Sequence, residues 1–120
     1  MAKHKVDSDL KYAVEYNGRL DLSKVDSVVA ALYGENDGAQ WYWVLKMKDG
    51  THGLGVGGCD YTGWDCRSWF DFTPTKTALQ AAKLAPAKED DYSSTRRVQA
   101  VLTKQIKGTQ PFGSINSEDY

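Results

Sequence analysis

The stretch that decides the fold is residues 41–72, WYWVLKMKDGTHGLGVGGCDYTGWDCRSWFDF, which holds all four tryptophans and both cysteines. Residues 41–48 alternate between two sets of side chains with a period of two, which is typical of a half-buried strand. Asp49-Gly50 follows, and this dipeptide favours a two-residue hairpin turn because both positions tolerate positive φ angles. The pattern therefore predicts strands at about 41–48 and 51–60, joined by a tight turn.

The register of this hairpin determines which face is core. A two-residue loop sets Leu45 opposite Leu54 and Trp43 opposite Val56. The glycines of the second strand then lie on the other face, where Gly53, Gly55 and Gly57 oppose Lys46, Val44 and Tyr42. The tryptophan face is therefore the predicted core, and the aromatic core candidates are Trp41, Trp43, Trp69 and Phe70.

A second turn is predicted at Thr62-Gly63, followed by a strand at about 65–72. A two-residue loop there places Cys59 directly opposite Cys66. Continued along the sheet, the same register puts the two phenylalanines of the last strand on the glycine face. Either both faces of the sheet are covered, or a bulge at Gly57-Gly58 shifts the alternation by one residue and removes this conflict; of the two we favour the bulge.

The flanking segments supply the remaining elements. Alternation predicts a strand at about 10–16, and a capping box followed by helical spacing predicts a helix at about 23–33. Two further helices are predicted at about 75–84 and 95–107, the first opened by a proline and the second closed by Gly108. The fold class is therefore α+β: an antiparallel β-meander of three to four strands with two to three helices packed on one face.

Composition is that of an ordinary globular protein: 120 residues, 41% hydrophobic, 26% charged, with a net charge of −1. This size predicts a single domain over 1–120, with flexible ends at 1–8 and 109–120. No apolar run reaches the ~20 residues of a membrane span, and the first residues lack a signal-peptide pattern, so we expect a cytoplasmic protein without membrane contacts. The absence of a net positive charge counts against non-specific nucleic-acid binding.

Three interpretations of Cys59 and Cys66 remain open. A cytoplasmic location favours two reduced thiols, while their facing positions also allow a cross-strand disulfide. A metal site is the third interpretation, although the spacing of the two cysteines lies outside the usual zinc-ligand patterns. We therefore predict no metal and no cofactor.

The tip of the second hairpin carries the candidate binding residues. Tyr61 and Trp64 flank a tight turn and are difficult to bury together, and exposed aromatics on a rigid hairpin are good anchors for a protein partner. The predicted partner-binding set is Tyr61, Trp64, Asp60, Asp65, Arg67 and Tyr42. The two aspartates could form a carboxylate pair for acid–base or metal chemistry. Aspartates beside turns more often accept hydrogen bonds from turn amides, so no catalytic residue is assigned.

The segment Gly57-Gly58-Cys59-Asp60-Tyr61-Thr62-Gly63-Trp64-Asp65-Cys66 resembles a motif of small uncharacterised proteins of phages and bacteria. The later pattern Leu102…Gln105-Ile106…Gly108…Pro111-Phe112-Gly113 is similar to the tail of such sequences. The resemblance carries no assigned activity. It implies a phage-type accessory protein.

Three functional hypotheses follow. The leading one is a small non-enzymatic binding protein that engages another protein through the second hairpin, for example as an inhibitor of a host factor; a homodimer is compatible with it. The second is a nucleic-acid-binding module that uses the same aromatics with Lys46, Lys48, Arg67, Arg96 and Arg97. The third is a metal-dependent or redox enzyme built on the two cysteines and the two aspartates.

Overall fold

Four strands in chain order form the sheet on which the helices pack. The computed structural model describes residues 5–17, 20–34, 40–59, 68–89 and 97–110. The elements are α1 (Ser8–Asn17), a 3-10 turn (Leu22–Lys24), β1 (Val25–Leu32), β2 (Trp41–Met47), β3 (His52–Cys59), β4 (Ser68–Thr75), α2 (Ala78–Leu84) and α3 (Val98–Ile106). The strands pair antiparallel in the order β1-β2-β3-β4. The predicted α+β class with a β-meander is confirmed.

Helices cover both faces of the sheet, whereas the sequence predicted helices on one face. α2 and α3 pack against Val44 and Leu54, and this side is called the α2–α3 face. α1 packs on the opposite side against Trp43 and Phe70, and this side is called the α1 face. Because both faces are covered, β1, β2 and β3 are buried along most of their length. None of the helices in the described ranges is long and apolar enough to cross a membrane.

Segment 10–16 lies in helix α1, so the predicted strand there is wrong. The Oδ1 atom of Asp7, which was predicted to lie in a flexible end, accepts a hydrogen bond from the backbone N of Leu10 at 2.7 Å and caps the helix. The alternating tyrosines that suggested a strand, Tyr12 and Tyr16, are 47% and 59% exposed on the outer side of the helix. The buried residues have helical spacing instead: Leu10, Ala13 and Val14.

Segment 23–33 contains strand β1, so the predicted helix there is wrong. Two irregularities interrupt the pairing of β1 with β2, one between Val25 and Ser27 and one between Val28 and Ala30. A bulge inserts an extra residue and shifts the alternation of side chains. The residues that face α1 therefore recur every third position: Val25, Val28 and Ala31. This spacing resembles one side of a helix, which explains the error.

The loop between β2 and β3 has three residues, one more than predicted. Met47 N donates to Thr51 O at 2.8 Å, and Gly50 N donates to Met47 O at 3.0 Å. Gly50 has a φ of +92°, the left-handed conformation that closes a three-residue hairpin loop. The extra residue shifts the register by one, which moves every side chain of β3 to the opposite face.

The glycines of β3 consequently lie on the α1 face, and their predicted placement is wrong. Gly53, Gly55 and Gly57 pair with Leu45, Trp43 and Trp41. Large rings occupy the space that the missing side chains leave: a Cβ atom on Gly55 would lie 2.9 Å from Phe70 Cζ and 3.8 Å from Trp43 Cε3. The rings of Trp43 and Phe70 pack with their centroids 6.0 Å apart.

The predicted bulge at Gly57-Gly58 is also wrong. β3 and β4 pair without interruption from His52 opposite Thr75 to Cys59 opposite Ser68. The bulge is not needed, because the observed register places the glycines on the same face as the tryptophans. The phenylalanines of β4, which lie opposite these glycines, are therefore in the core without any shift. Cys59 is therefore the register partner of Ser68.

A side chain from α3 closes the β1 edge of the sheet. Gln105 is 3% exposed. Its Nε2 donates to Ala31 O at 3.0 Å, and its Oε1 accepts from Ala31 N at 2.8 Å. The amide thus replaces a neighbouring strand at an edge that would otherwise present unpaired backbone groups.

Candidate functional site

The tip of the predicted binding hairpin lies outside the described residues. Strand β3 ends at Cys59 and β4 begins at Ser68, so the residues between them, called the 60–67 segment, are not placed. This segment contains most of the predicted site: Asp60, Tyr61, Trp64, Asp65, Cys66 and Arg67. The cysteine pairing, the aspartate pair and the exposure of Tyr61 and Trp64 stay predictions.

The base of this hairpin is held by both the sheet and α1. Cys59 is 7% exposed and belongs to the core of the α1 face. Opposite it, Ser68 Oγ accepts a hydrogen bond from Asn17 Nδ2 at 3.5 Å. Asn17 Nδ2 also donates to Ala13 O at 2.8 Å. The end of α1 and the start of β4 therefore position the two chain ends from which the 60–67 segment leaves.

Trp69 is the aromatic residue beside this base, and it stands at the surface. It is 38% exposed and was predicted to be core. Its partner across the sheet is Gly58, on the α2–α3 face. The indole lies over the glycine backbone, since a Cβ atom on Gly58 would lie 2.7 Å from Trp69 Cε2. Asp71 and Thr73, the next residues on the same face of β4, are exposed as well.

Tyr42, which was predicted to contact a partner, is buried under the α2–α3 layer. It is 2% exposed. Its Oη donates to Glu89 Oε2 at 2.8 Å and lies 3.2 Å from Gln40 Oε1. Gln40 N also donates to Glu89 Oε2, at 3.2 Å. Tyr42 therefore ties the chain after α2 to the start of β2, and we remove it from the candidate binding surface.

A carboxylate on the α1 face joins α1 to the sheet. Asp7 uses both oxygens: Oδ1 caps α1, and Oδ2 accepts from Trp43 Nε1 at 3.0 Å. Burial raises the pKa of Asp7, and the hydrogen bonds from Leu10 and Trp43 partly oppose that shift. Burial, with the nearby carboxylates, also raises the pKa of Tyr33. Since both Asp7 oxygens hold structural donors, we assign this cluster to stability.

Replacing Asp7 by asparagine should lower the free energy of unfolding by about 1–2 kcal/mol. Asparagine has an NH2 group in place of one carboxylate oxygen, so only one of the two hydrogen bonds can be kept. The matched control is Asp9→Asn, in the same helical turn. Urea denaturation of both variants measures the difference, and equal losses would contradict the role of Asp7.

The same pair gives a test with pH. A carboxyl group with a raised pKa in the folded state contributes stability that is present below the unfolded pKa and is lost as pH rises through the folded pKa. The difference in free energy of unfolding between the wild type and Asp7→Asn should therefore become smaller as pH rises above 3.8, the ordinary pKa of the group. If this difference in free energy of unfolding grows as pH rises, the pKa of Asp7 is not raised in the folded state.

Two described cations of the nucleic-acid hypothesis, Lys48 and Arg97, line different grooves. Lys48 lines a groove of about 470 Å³ with Lys24, Met47 and Phe72. Arg97 lines a separate groove of about 420 Å³ on α3. Arg67 and Arg96 lie outside the described residues. The described part of the predicted basic surface is therefore divided between two regions.

Within the described ranges, no group of three or more His, Cys, Asp or Glu side chains is placed to hold a metal ion. The Cys66, Asp60 and Asp65 side chains of the enzyme hypothesis lie in the 60–67 segment, so that hypothesis is not tested. The chain matches no protein-family model, no curated protein and no solved structure.

Proposed function

We propose that this protein is a small non-enzymatic binding protein that engages a protein partner through the β3–β4 hairpin. Tyr61 and Trp64 are the anchors, and Asp60, Asp65 and Arg67 form the polar rim. An accessory or inhibitor protein of phage type, acting on a host factor, fits this description.

The observation that supports the proposal is the position of Trp69 at the base of the hairpin. The residue is 38% exposed, and its indole lies on the Gly58 backbone. A tryptophan that is held in one orientation before binding loses little conformational entropy when a partner covers it. The 60–67 segment adds a tyrosine, a tryptophan and an arginine, the residue types that most often dominate binding energy.

The test is partner capture with variants of the hairpin. Immobilised protein is incubated with an extract of the cells that produce it, the captured protein is identified by mass spectrometry, and its affinity is measured after purification. Tyr61→Ser with Trp64→Ser should weaken this affinity by about 100-fold or more, since truncation of a hot-spot aromatic costs about 2 kcal/mol or more. Trp69→Ser should weaken it by about 10-fold, because the ring is only partly exposed.

The control removes an equal number of aromatic rings from another surface. Tyr12→Ser with Tyr16→Ser changes the outer side of α1, where both rings are exposed, and should leave the affinity unchanged. Thermal unfolding of each variant verifies that the fold is intact. If the hairpin variant retains the affinity of the wild type, or only the α1 variant loses it, the hairpin is not the binding surface.

A further inference from the structure

A groove of about 420 Å³ follows the exposed side of α3. Arg97, Lys104 and Lys107 line it, with Ala87 and Ala100 between them. Among the described residues, no carboxylate lines this groove. The chain as a whole has a net charge of −1, so this concentration of positive charge is local.

The neutral polar side chains of the groove are already engaged. Gln99 Nε2 donates to Lys83 O at 2.8 Å, and Thr103 Oγ donates to Gln99 O at 2.8 Å. In the described ranges, the side chains of Arg97, Lys104 and Lys107 form no hydrogen bond or ion pair. The donors that remain for a ligand are therefore all cationic, and they favour a negatively charged one.

Stability explains the lysines of the groove but not the arginine. Lys104 and Lys107 lie at the C-terminal end of α3, where positive charge interacts favourably with the helix dipole. Arg97 is at the N-cap and makes no side-chain capping hydrogen bond. A cation is unfavourable at that end, and Ser, Thr, Asp or Asn would cap it better. Within the part of the chain that the structure describes, the Arg97 side chain neither caps the helix nor forms an ion pair, so its charge is available to a ligand.

The length of the cationic row fits an extended peptide. Arg97 and Lys107 are separated by about 15 Å along the helix at ~1.5 Å per residue. Three acidic residues at alternate positions of an extended chain span about 13 Å at ~3.3 Å per residue. Between the cations, Gln99 and Thr103 are half-buried and Ala100 is exposed, and Ala100 is small enough for a peptide backbone to approach closely.

Other anionic ligands fit less well. A small molecule would stay largely in water on this exposed helix side, whereas small-molecule sites enclose most of the ligand surface. Nucleic acid is disfavoured because the net charge of the chain is negative and, of the residues that the structure describes, no aromatic lines the groove for base stacking.

We propose that this groove binds an extended acidic segment of a partner protein. Carboxylates on alternate residues of that segment contact Arg97, Lys104 and Lys107. This surface requires neither Tyr61 nor Trp64, so its failure and the failure of the hairpin proposal are distinguishable.

The probe is a fluorescein-labelled peptide, Glu-Ser-Glu-Ser-Glu, titrated with the full chain at low ionic strength. Fluorescence anisotropy should show saturable binding that weakens as salt is added, because exposed ion pairs are screened. The R97Q/K104Q/K107Q variant should bind at least about 10-fold more weakly, since three charged contacts are removed. In the wild type, the amide chemical-shift changes on peptide addition should map to α3.

The matched control, K5Q/K11Q/K76Q, removes the same charge from exposed lysines elsewhere. It should bind the peptide within about twofold of the wild type, because loss of distant charge is largely screened. The proposal is overturned if this control loses as much affinity as the groove variant, if the wild type does not bind the peptide, or if it binds Gln-Ser-Gln-Ser-Gln equally. Tighter binding of a labelled oligothymidylate to the same residues would also overturn it and assign the groove to nucleic acid.

Discussion

Replacing Gln105 by methionine is expected to lower the free energy of unfolding by about 2–6 kcal/mol, a large part of the stability of a small domain. Methionine preserves the length and the helix propensity of the side chain but removes both hydrogen bonds to Ala31. The N–H and C=O of Ala31 would then be buried without partners, and each unpaired group costs about 1–3 kcal/mol. Urea denaturation with a common m-value measures the loss.

Gln99→Met provides the matched control on the same helix. The Gln99 amide bonds to Lys83 O at an exposed position, where water can replace it. We expect this control to cost less than about 1 kcal/mol. If Gln105→Met costs no more than Gln99→Met, Gln105 does not close the edge of the sheet in solution.

Replacing Gly55 by valine is expected to lower the free energy of unfolding by about 3 kcal/mol or more, because the site has no room for a side chain. Strand propensity alone would predict the opposite sign, since valine favours strands and glycine weakens them. A Cβ atom at this position would lie 2.9 Å from Phe70 Cζ and 3.1 Å from Phe70 Cε1. Phe70 is 1% exposed, so its ring is enclosed by other parts of the protein.

A double-mutant cycle with Phe70→Ala isolates this contact. Removing the ring is destabilising by itself, by about 3–5 kcal/mol. It also vacates the volume that valine needs, so the double variant should lose at least about 1 kcal/mol less than the sum of the single losses. Additive losses would show that the steric conflict does not cause the effect of Gly55→Val.

The central hairpin was predictable in its strands but not in its register. Alternation over 41–48 and the Asp49-Gly50 dipeptide identify β2, the turn and β3 correctly. The same dipeptide also fits a loop of three residues, and a one-residue difference reverses the faces of β3. The three-residue loop puts the glycines, and the β4 phenylalanines opposite them, on the tryptophan face, where Trp43 packs against Phe70, a contact between distant segments.

The N-terminal segments were ambiguous for a related reason. Leu10 and Val14 fit both a period of two and the spacing of a helix, and the buried Ala13 with the Asp7 cap decides for the helix. The bulges of β1 give its buried residues a helix-like spacing. The sequence does not reveal them, because bulges form only when a strand pairs with its neighbour. In both cases the pattern along the chain admits two structures, and packing against the sheet selects one.

For the candidate site, sequence reasoning located the hairpin and its aromatic composition but not the exposure of its neighbours. Tyr42 was predicted to be accessible and is buried by the α2–α3 layer; Trp69 was predicted to be core and is partly exposed. Once the register is known, Gly58 opposite Trp69 indicates that the indole lies over bare backbone at the sheet surface. The α3 groove was not predicted, since the grouping of cations from separate turns of a helix along one groove is a property of the folded surface.

The chain alone therefore establishes the α+β class, strands β2, β3 and β4, and helices α2 and α3. Hydrophobic period, turn dipeptides and helix ends are properties of short segments, and they identify each of these elements. The predicted start of α2 is wrong, since Pro74 lies in β4 and Thr77 caps the helix instead. Four features are decided only when the segments pack: the strand register, the number of layers, the closing of the β1 edge by Gln105, and which aromatic side chains are buried. Each of them depends on which distant face fills a given volume or pairs with a given backbone group.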